Sequence, residues 1–207
     1  MHVQNLSIDQ TGLFAPESGS ELRPPQLVFV FGPTDALKAS PAPRHLAERF
    51  PDAMIVGCST GTSVLGRRLS DEAIVGLAAT FDATRLRLSV RPLEGAARSA
   101  EAGRLAGLDL AAPDLAGVFV LSDGLNVNGT ALVEGLRSSC GPGVAISGGL
   151  AGDGARFGET VLLVGGQAQS GVVAAIGFYG DAIRIGTGGA GGWDEFGPLR
   201  SVTRSEG

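Results

Sequence analysis

A chain of 207 residues, 43% hydrophobic and 18% charged, can bury a substantial core in one domain or two fused halves, and its composition argues against disorder. A net charge of -5 without any dense Lys/Arg cluster argues against a nucleic-acid partner. No apolar run approaches the roughly 20 residues of a membrane span, the N-terminus lacks a signal-peptide layout, and two Cys with two distant His offer no metal-ligand pattern, so we expect a cytoplasmic protein with reduced thiols and neither membrane contact nor metal.

Residues 1–24 are polar and without a sustained period, which predicts an irregular, mobile leader ahead of one domain over 25–207. An apolar run predicts a buried strand over 26–31, broken by Gly32-Pro33-Thr34-Asp35. Ser40 before Pro41 signals a helix start, and that helix runs to about Phe50. A strand follows over 53–56, ending in Gly57-Cys58-Ser59-Thr60-Gly61-Thr62. Strands are predicted over 73–81 and 85–90, the second with Leu86, Leu88 and Val90 alternating against Arg85, Arg87 and Ser89. An Ala-rich helix over 96–108 joins two halves. Beyond it come a strand over 117–121, the loop Ser122-Asp123-Gly124-Leu125-Asn126-Val127-Asn128-Gly129, and a helix capped by Asn128 or Thr130 that runs to about Ser138. Strands are expected over 143–146, 160–164, 172–178 and 183–186, with Gly165-Gly166 as a hairpin turn. In the glycine-rich tail, Trp193 would either close a pocket or anchor the tail to the core, and Phe157 stands in the same position.

The halves, about 26–94 and 116–188, echo each other. Val28-Phe29-Val30-Phe31 is answered by Val118-Phe119-Val120-Leu121. At the same offset and without a gap, Met54-Ile55-Val56-Gly57-Cys58-Ser59 lies over Val144-Ala145-Ile146-Ser147-Gly148-Gly149. After an extra segment in the second copy, Ile74-Val75-Gly76-Leu77-Ala78 matches Val172-Val173-Ala174-Ala175-Ile176. The expected fold is therefore α/β (mixed α+β): two similar strand-helix-strand-strand halves forming mixed sheets covered by helices. Whether the halves lie side by side or face to face stays open. Loops at equivalent strand ends should converge on one cleft.

Ligand loops of α/β proteins follow strands that feed a helix, which singles out Asp123, Asn126 and Asn128. The same residue types also form turns and caps. Gly148-Gly149-Leu150-Ala151-Gly152-Asp153-Gly154 is the second candidate. Its glycines let backbone approach a guest, and Asp153 and Arg156 would pair with each other or with the ends of a zwitterion. No Gly-Lys-Ser/Thr follows, so it is no P-loop, and strands follow where a dinucleotide fingerprint needs a helix. Ser59 and Thr60 would contribute from the equivalent loop of the first half. The ligand-binding set is thus Ser59, Thr60, Asp123, Asn126, Asn128, Gly148, Gly149, Asp153 and Arg156, with no catalytic residue. The alternative enzyme reading, a hydrolase or transferase using Cys58 or Ser59, lacks a histidine base. His2 lies in the leader and His45 falls mid-helix, so Asp123 or Asp153 would have to substitute.

Four stretches together resemble the N-terminal domain of the FIST family ("F-box and intracellular signal transduction"). They are Phe50-Pro51-Asp52-Ala53 through Val56-Gly57-Cys58-Ser59-Thr60; Ser122-Asp123-Gly124 through Asn128-Gly129; Gly148-Gly149-Leu150-Ala151-Gly152-Asp153-Gly154-Ala155-Arg156-Phe157; and Gly192-Trp193 through Phe196-Gly197-Pro198 with Val202-Thr203. The likeness covers about 26–206. It implies a non-enzymatic, cytosolic ligand-sensing module of bacterial signal transduction. The guest would be an amino acid or other small polar molecule, and the partner a histidine kinase or a FIST C-terminal domain. That domain normally follows the Val-Thr stretch, where this chain stops, so we expect a fragment, a truncated member or half of a two-chain assembly. The alternative is an interaction module lacking its C-terminal partner. No cofactor is expected. Haem, which some members resemble proteins in binding, would have His45, Cys58 or Tyr179 as nominal axial ligands, none within a haem signature.

Overall fold

Alternation of apolar side chains along the strands sets the layers. The computed structural model describes residues 1–9, 11–16, 19, 21–188, 191, 196–198 and 200–204. In chain order the elements are β1 (His2–Ile8), β2 (Phe14–Pro16), β3 (Leu27–Gly32), α1 (Thr34–Ala39), α2 (Ala42–Arg49), β4 (Met54–Ser59), β5 (Ser63–Leu65), β6 (Arg68–Ser70), β7 (Ile74–Thr80) and β8 (Arg85–Pro92). A 3-10 turn (Ala96–Arg98) leads into α3 (Ser99–Leu110), β9 (Leu115–Ser122), α4 (Gly129–Cys140), β10 (Ala145–Leu150), β11 (Leu162–Val164), β12 (Gln167–Gln169) and β13 (Val172–Tyr179).

Two mixed sheets stack face to face between two helical layers. One runs β12-β11-β4-β3-β7-β1-β2, the other β10-β9-β13-β8. Val28 and Val30 point outward into a cluster with Leu37 of α1 and Leu46 of α2. Leu27 and Phe29 point inward, where they meet Phe119, Leu121, Ile176 and Phe178 of the other sheet. The Phe29 and Phe119 rings cross edge to face with centroids 5.0 Å apart. Val118, Val120, Val173 and Ala175 point outward again, under Ala106 of α3 and Leu132 and Leu136 of α4. Such a period-2 division on both sheets is what lets one strand serve two cores.

The two sheets share one pairing pattern at their centres. β3 and β4 are parallel, and β7 is antiparallel to β3 with β1 beyond it. Likewise β9 and β10 are parallel, and β13 is antiparallel to β9 with β8 beyond it. The gapless register is corrected by one residue after the first strand. Val30 stands opposite Gly57, but its counterpart Val120 stands opposite Gly148, not Ser147. Gly57 and Gly148 play one role: a Cβ on either would lie 1.8 Å from the carbonyl oxygen of the facing valine.

Other boundaries shift too. Instead of an irregular leader, His2–Ile8 pairs along the whole of β7, with Leu6 buried in the core. The helix α1 begins where a break was expected. Ser40 does contribute at the next helix start, its hydroxyl accepting from the Ala42 amide at 3.1 Å. The short hairpin β5–β6 and strand β12 were not anticipated. Residues 183–186 form no strand, although Ile183 and Ile185 pack on the inner core. Trp193 lies outside the described residues. On the outer face α3 and α4 pack with backbone contact, through Gly103, Gly107 and Gly135.

Candidate functional site

The carboxyl ends of β4 and β10 meet, as two sibling halves should make them. The Gly152 amide donates to the Ser59 carbonyl at 2.8 Å, and Gly61 lies against Gly154. From here the chain crosses over through 151–161 to lay β11 along β4. Four of the predicted residues, Ser59, Asp123, Asp153 and Arg156, converge on this crossover.

Their polar atoms are spent on holding it. Asp123, 4% exposed, accepts from the Leu125 and Asn126 amides at 2.9 Å, the Thr160 hydroxyl at 3.2 Å and the Gly171 amide at 3.4 Å. Burial alone would raise this carboxyl, but the amides and hydroxyl outweigh it and hold it below the ordinary aspartate range. Asp153 accepts from the Thr34 hydroxyl at 2.8 Å, from Arg156 at 2.5 Å, and from the Gly158 and Glu159 amides at 3.1 Å. The Thr34 hydroxyl first, then the Glu159 amide, pull it well below the carboxylate range. Arg156 bridges Asp153 to Asp35 of α1 at 2.6 Å, and Lys38 of α1 pairs with Glu159 at 2.8 Å. Glu159 and Thr160 are neighbours, so the two aspartates are joined through one peptide. The set of Asp123, Asp153, Arg156 and Ser59 is a clasp that fastens the crossover to both halves. Its tip, Phe157, is 76% exposed at a φ of +50°.

Ser59 joins the clasp, and the other predicted residues fall elsewhere. Ser59 is fully buried, its hydroxyl accepting from the Val161 amide at 3.1 Å. Thr60 donates to the Thr62 carbonyl at 3.1 Å. Asn128 caps α4 by accepting from the Ala131 amide at 3.0 Å, while its own amide donates to Ser99. Asn126 is exposed. Gly148 and Gly149 are exposed on β10, where they line a cavity of about 400 Å³.

That cavity wraps the free edge of β10 under the first turns of α4. Val120, Leu132, Val133, Ile146 and Leu150 supply an apolar lining, and Ser147, Thr187 and the backbone of Gly129, Gly148 and Gly149 the polar share. The first helical amides, of Gly129 and Thr130, precede the intrahelical ladder, which opens with the Leu132 amide on the Asn128 carbonyl. An apolar pocket with a few convergent polar groups is the ordinary form of a small-molecule site. Sequence reading missed the apolar lining because Val133 and Ile146 look like ordinary core residues. A larger hollow of about 590 Å³, between Ile8, Asp9, α1 and the start of β7, contains none of the predicted residues.

Cys58 lies in the inner core, and burial pushes its thiol up to about 12. A thiol so protonated is a poor nucleophile at neutral pH. Thiol labelling followed by mass mapping should therefore find Cys140, half-buried, modified before Cys58, with Cys58 reacting only as the protein unfolds. Rapid Cys58 labelling in the native protein would revive the enzyme reading. The three nominal haem ligands stand on three separate elements. His45 is on α2, Cys58 is between the sheets, and the buried Tyr179 hydroxyl donates to the Leu110 carbonyl at 2.7 Å. Among the described residues no group of three or more His, Cys, Asp or Glu is placed to hold a metal ion, and no helix is long and apolar enough to cross a membrane.

A family model described as the FIST N domain matches residues 26–207. No curated protein matches the chain.

Proposed function

The chain belongs to the FIST N domain family, whose members are sensory domains of signal transduction, and from that membership we propose that it binds a small amphipathic molecule in the hollow between α4 and β10. The observation that carries this reading is the pairing of an apolar floor with the open start of α4. Val120, Leu132 and Ile146 suit a hydrocarbon body. The Gly129 amide, at the positive end of a twelve-residue helix, suits a carboxylate. Amino acids with branched or aromatic side chains combine both parts. Of the predicted set, Gly148 and Gly149 line the hollow, and Asn128 keeps α4 in place. Asp123, Asp153, Arg156 and Ser59 hold the crossover, and Thr60 its own loop. No residue is assigned a catalytic role. The guest, by bridging α4 and β10, favours one arrangement of the pair, and a signalling protein such as a histidine kinase or a FIST C-terminal domain reads it in the cytoplasm.

Thermal unfolding across a panel of amino acids and small carboxylic acids tests this. At about 100 times its Kd a guest contributes roughly 2.7 kcal/mol, which is a rise of about 5–10 °C for a chain of this size. Val133→Phe, which fills the hollow from α4, should fold and lose that rise. A rise that persists in Val133→Phe places the guest elsewhere.

A further inference from the structure

The two halves differ most at the outer edges of their parallel strand pairs. In the first half β4 is buried from Ile55 to Ser59, because β11 lies antiparallel along it. In the second half the counterpart β10 has no strand beyond it among the described residues and is exposed from Gly148 to Leu150. The element that should cover it by internal symmetry is the hairpin β5–β6. It matches β11–β12 in strand length and turn: Gly66 at a φ of +59° answers Gly165 at +57°. However, β5 follows β4 after residues 60–62 only, whereas β11 follows β10 after 151–161. The shorter link leaves β5–β6 as a separate two-stranded sheet.

Among the described residues, the edge of β10 is also the one that nothing protects. At the other three sheet edges, β12 is short, β2 is short and contains Pro16, and β8 carries Arg85, Arg87 and Arg91, with Arg85 paired to Asp114 and Arg91 to Asp109. Short edges, proline and charge are the usual guards against strand pairing. By contrast, β10 is six residues long, Ala-Ile-Ser-Gly-Gly-Leu, with no charge and no proline. Leu150 is 50% exposed. The Ala151 amide bonds back to Ser122 of β9, so by strand alternation the amides and carbonyls of Ile146, Gly148 and Leu150 face outward.

We propose that this edge pairs with the same edge of a second copy of the chain, antiparallel about a twofold axis, joining two four-stranded sheets into one of eight. A strand edge rotated by 180° about the sheet normal presents donors to acceptors, so a twofold contact is self-complementary. Antiparallel addition is also how this chain covers the equivalent edge of its first half. With Gly148 near the axis, Leu150 of one copy comes beside Ile146 of the other, on the face that α4 covers. The pairing stands whether or not the adjoining cavity takes a small guest.

Sedimentation equilibrium of the whole chain tests it, combined with hydrogen exchange. The expected mass is twice 20.9 kDa, with the Ile146, Gly148 and Leu150 amides protected. Leu150→Glu puts a charge against Ile146 of the other copy, and Gly149→Lys sends a charged side chain into open space beside it. Both should sediment as monomers with fast exchange at those amides, while Leu108→Glu, on the exposed face of α3, stays dimeric. A wild-type monomer up to the millimolar range overturns the proposal, as does a dimer that survives in both edge variants. A monomer that captures some other protein through β10 also overturns the choice of partner.

Discussion

Gly135→Leu should prevent cooperative folding, and Gly135→Ala should cost about 2–3 kcal/mol, at the upper end of ordinary overpacking. A Cβ on Gly135 would lie 2.1 Å from the Ala100 carbonyl oxygen and 2.8 Å from the Arg104 amide nitrogen. On the opposite helix a Cβ on Gly103 would lie 2.2 Å from the Leu132 carbonyl oxygen. Both obstacles are backbone, so no side-chain rotation relieves them. The helices must move apart, which opens the cluster formed by Ala102, Ala106, Leu132 and Leu136 over the second sheet. Net stabilities of domains are about 5–15 kcal/mol, so losing that cluster exceeds what the fold can spare. Urea unfolding followed by circular dichroism measures it. A Gly135→Leu protein with a wild-type midpoint would show that α3 and α4 do not sit this close.

The second large effect is expected at Asp123. Asp123→Ala leaves four donors, on Leu125, Asn126, Thr160 and Gly171, without their acceptor in a buried loop. Bonds to a charged group contribute more than neutral ones, and we expect a loss of about 3 kcal/mol. Asp123→Asn, which keeps one oxygen, should lose less. The same bonds give a pH signature. The folded carboxyl titrates below its unfolded value of about 3.9, so its contribution is complete above that value and disappears as pH falls through the folded one. Asp153 acts with the same sign. The urea midpoint should hold steady from neutral pH to about 5 and fall below about 4, less steeply in Asp123→Asn than in wild type. A midpoint that rises with acid, or Asp123→Ala at full stability, contradicts the clasp.

The duplication was legible because buried strands must repeat their apolar period wherever they occur: Val28-Phe29-Val30-Phe31 and Val118-Phe119-Val120-Leu121 each feed two cores. The one-residue slip at the next strand pair was not. It hides in the helical segments between, where lengths vary freely, and only the shared role of Gly57 and Gly148 against a valine carbonyl fixes it. Face-to-face packing was equally hidden, since alternating strands buried on both sides fit either arrangement. β1 escaped notice because its polar residues, such as Gln4, pair through backbone.

At the site, convergence of the loops was foreseen but the hydrogen bonds that these residues make within the chain were not. Asp123, Asn128 and Asp153 accept hydrogen bonds from their own chain, and a carboxylate or amide that caps a loop has the same composition as one that binds a guest. Conversely, the cavity lining is written in Val, Leu and Ile, letters that read as core. Gly148 and Gly149 were expected in a glycine-rich loop that lets backbone approach a guest, whereas they lie on β10, where it is exposed.

The central claim is that a small amphipathic guest sits between α4 and β10. The most direct measurement is a map of backbone amide chemical shifts during titration with the amino acid that gives the largest thermal rise. Perturbations should concentrate at Gly129–Val133 and Ser147–Leu150 and leave the 153–159 clasp unchanged. Perturbations centred on Asp123 and Asp153 instead, with the α4–β10 amides silent, would contradict it.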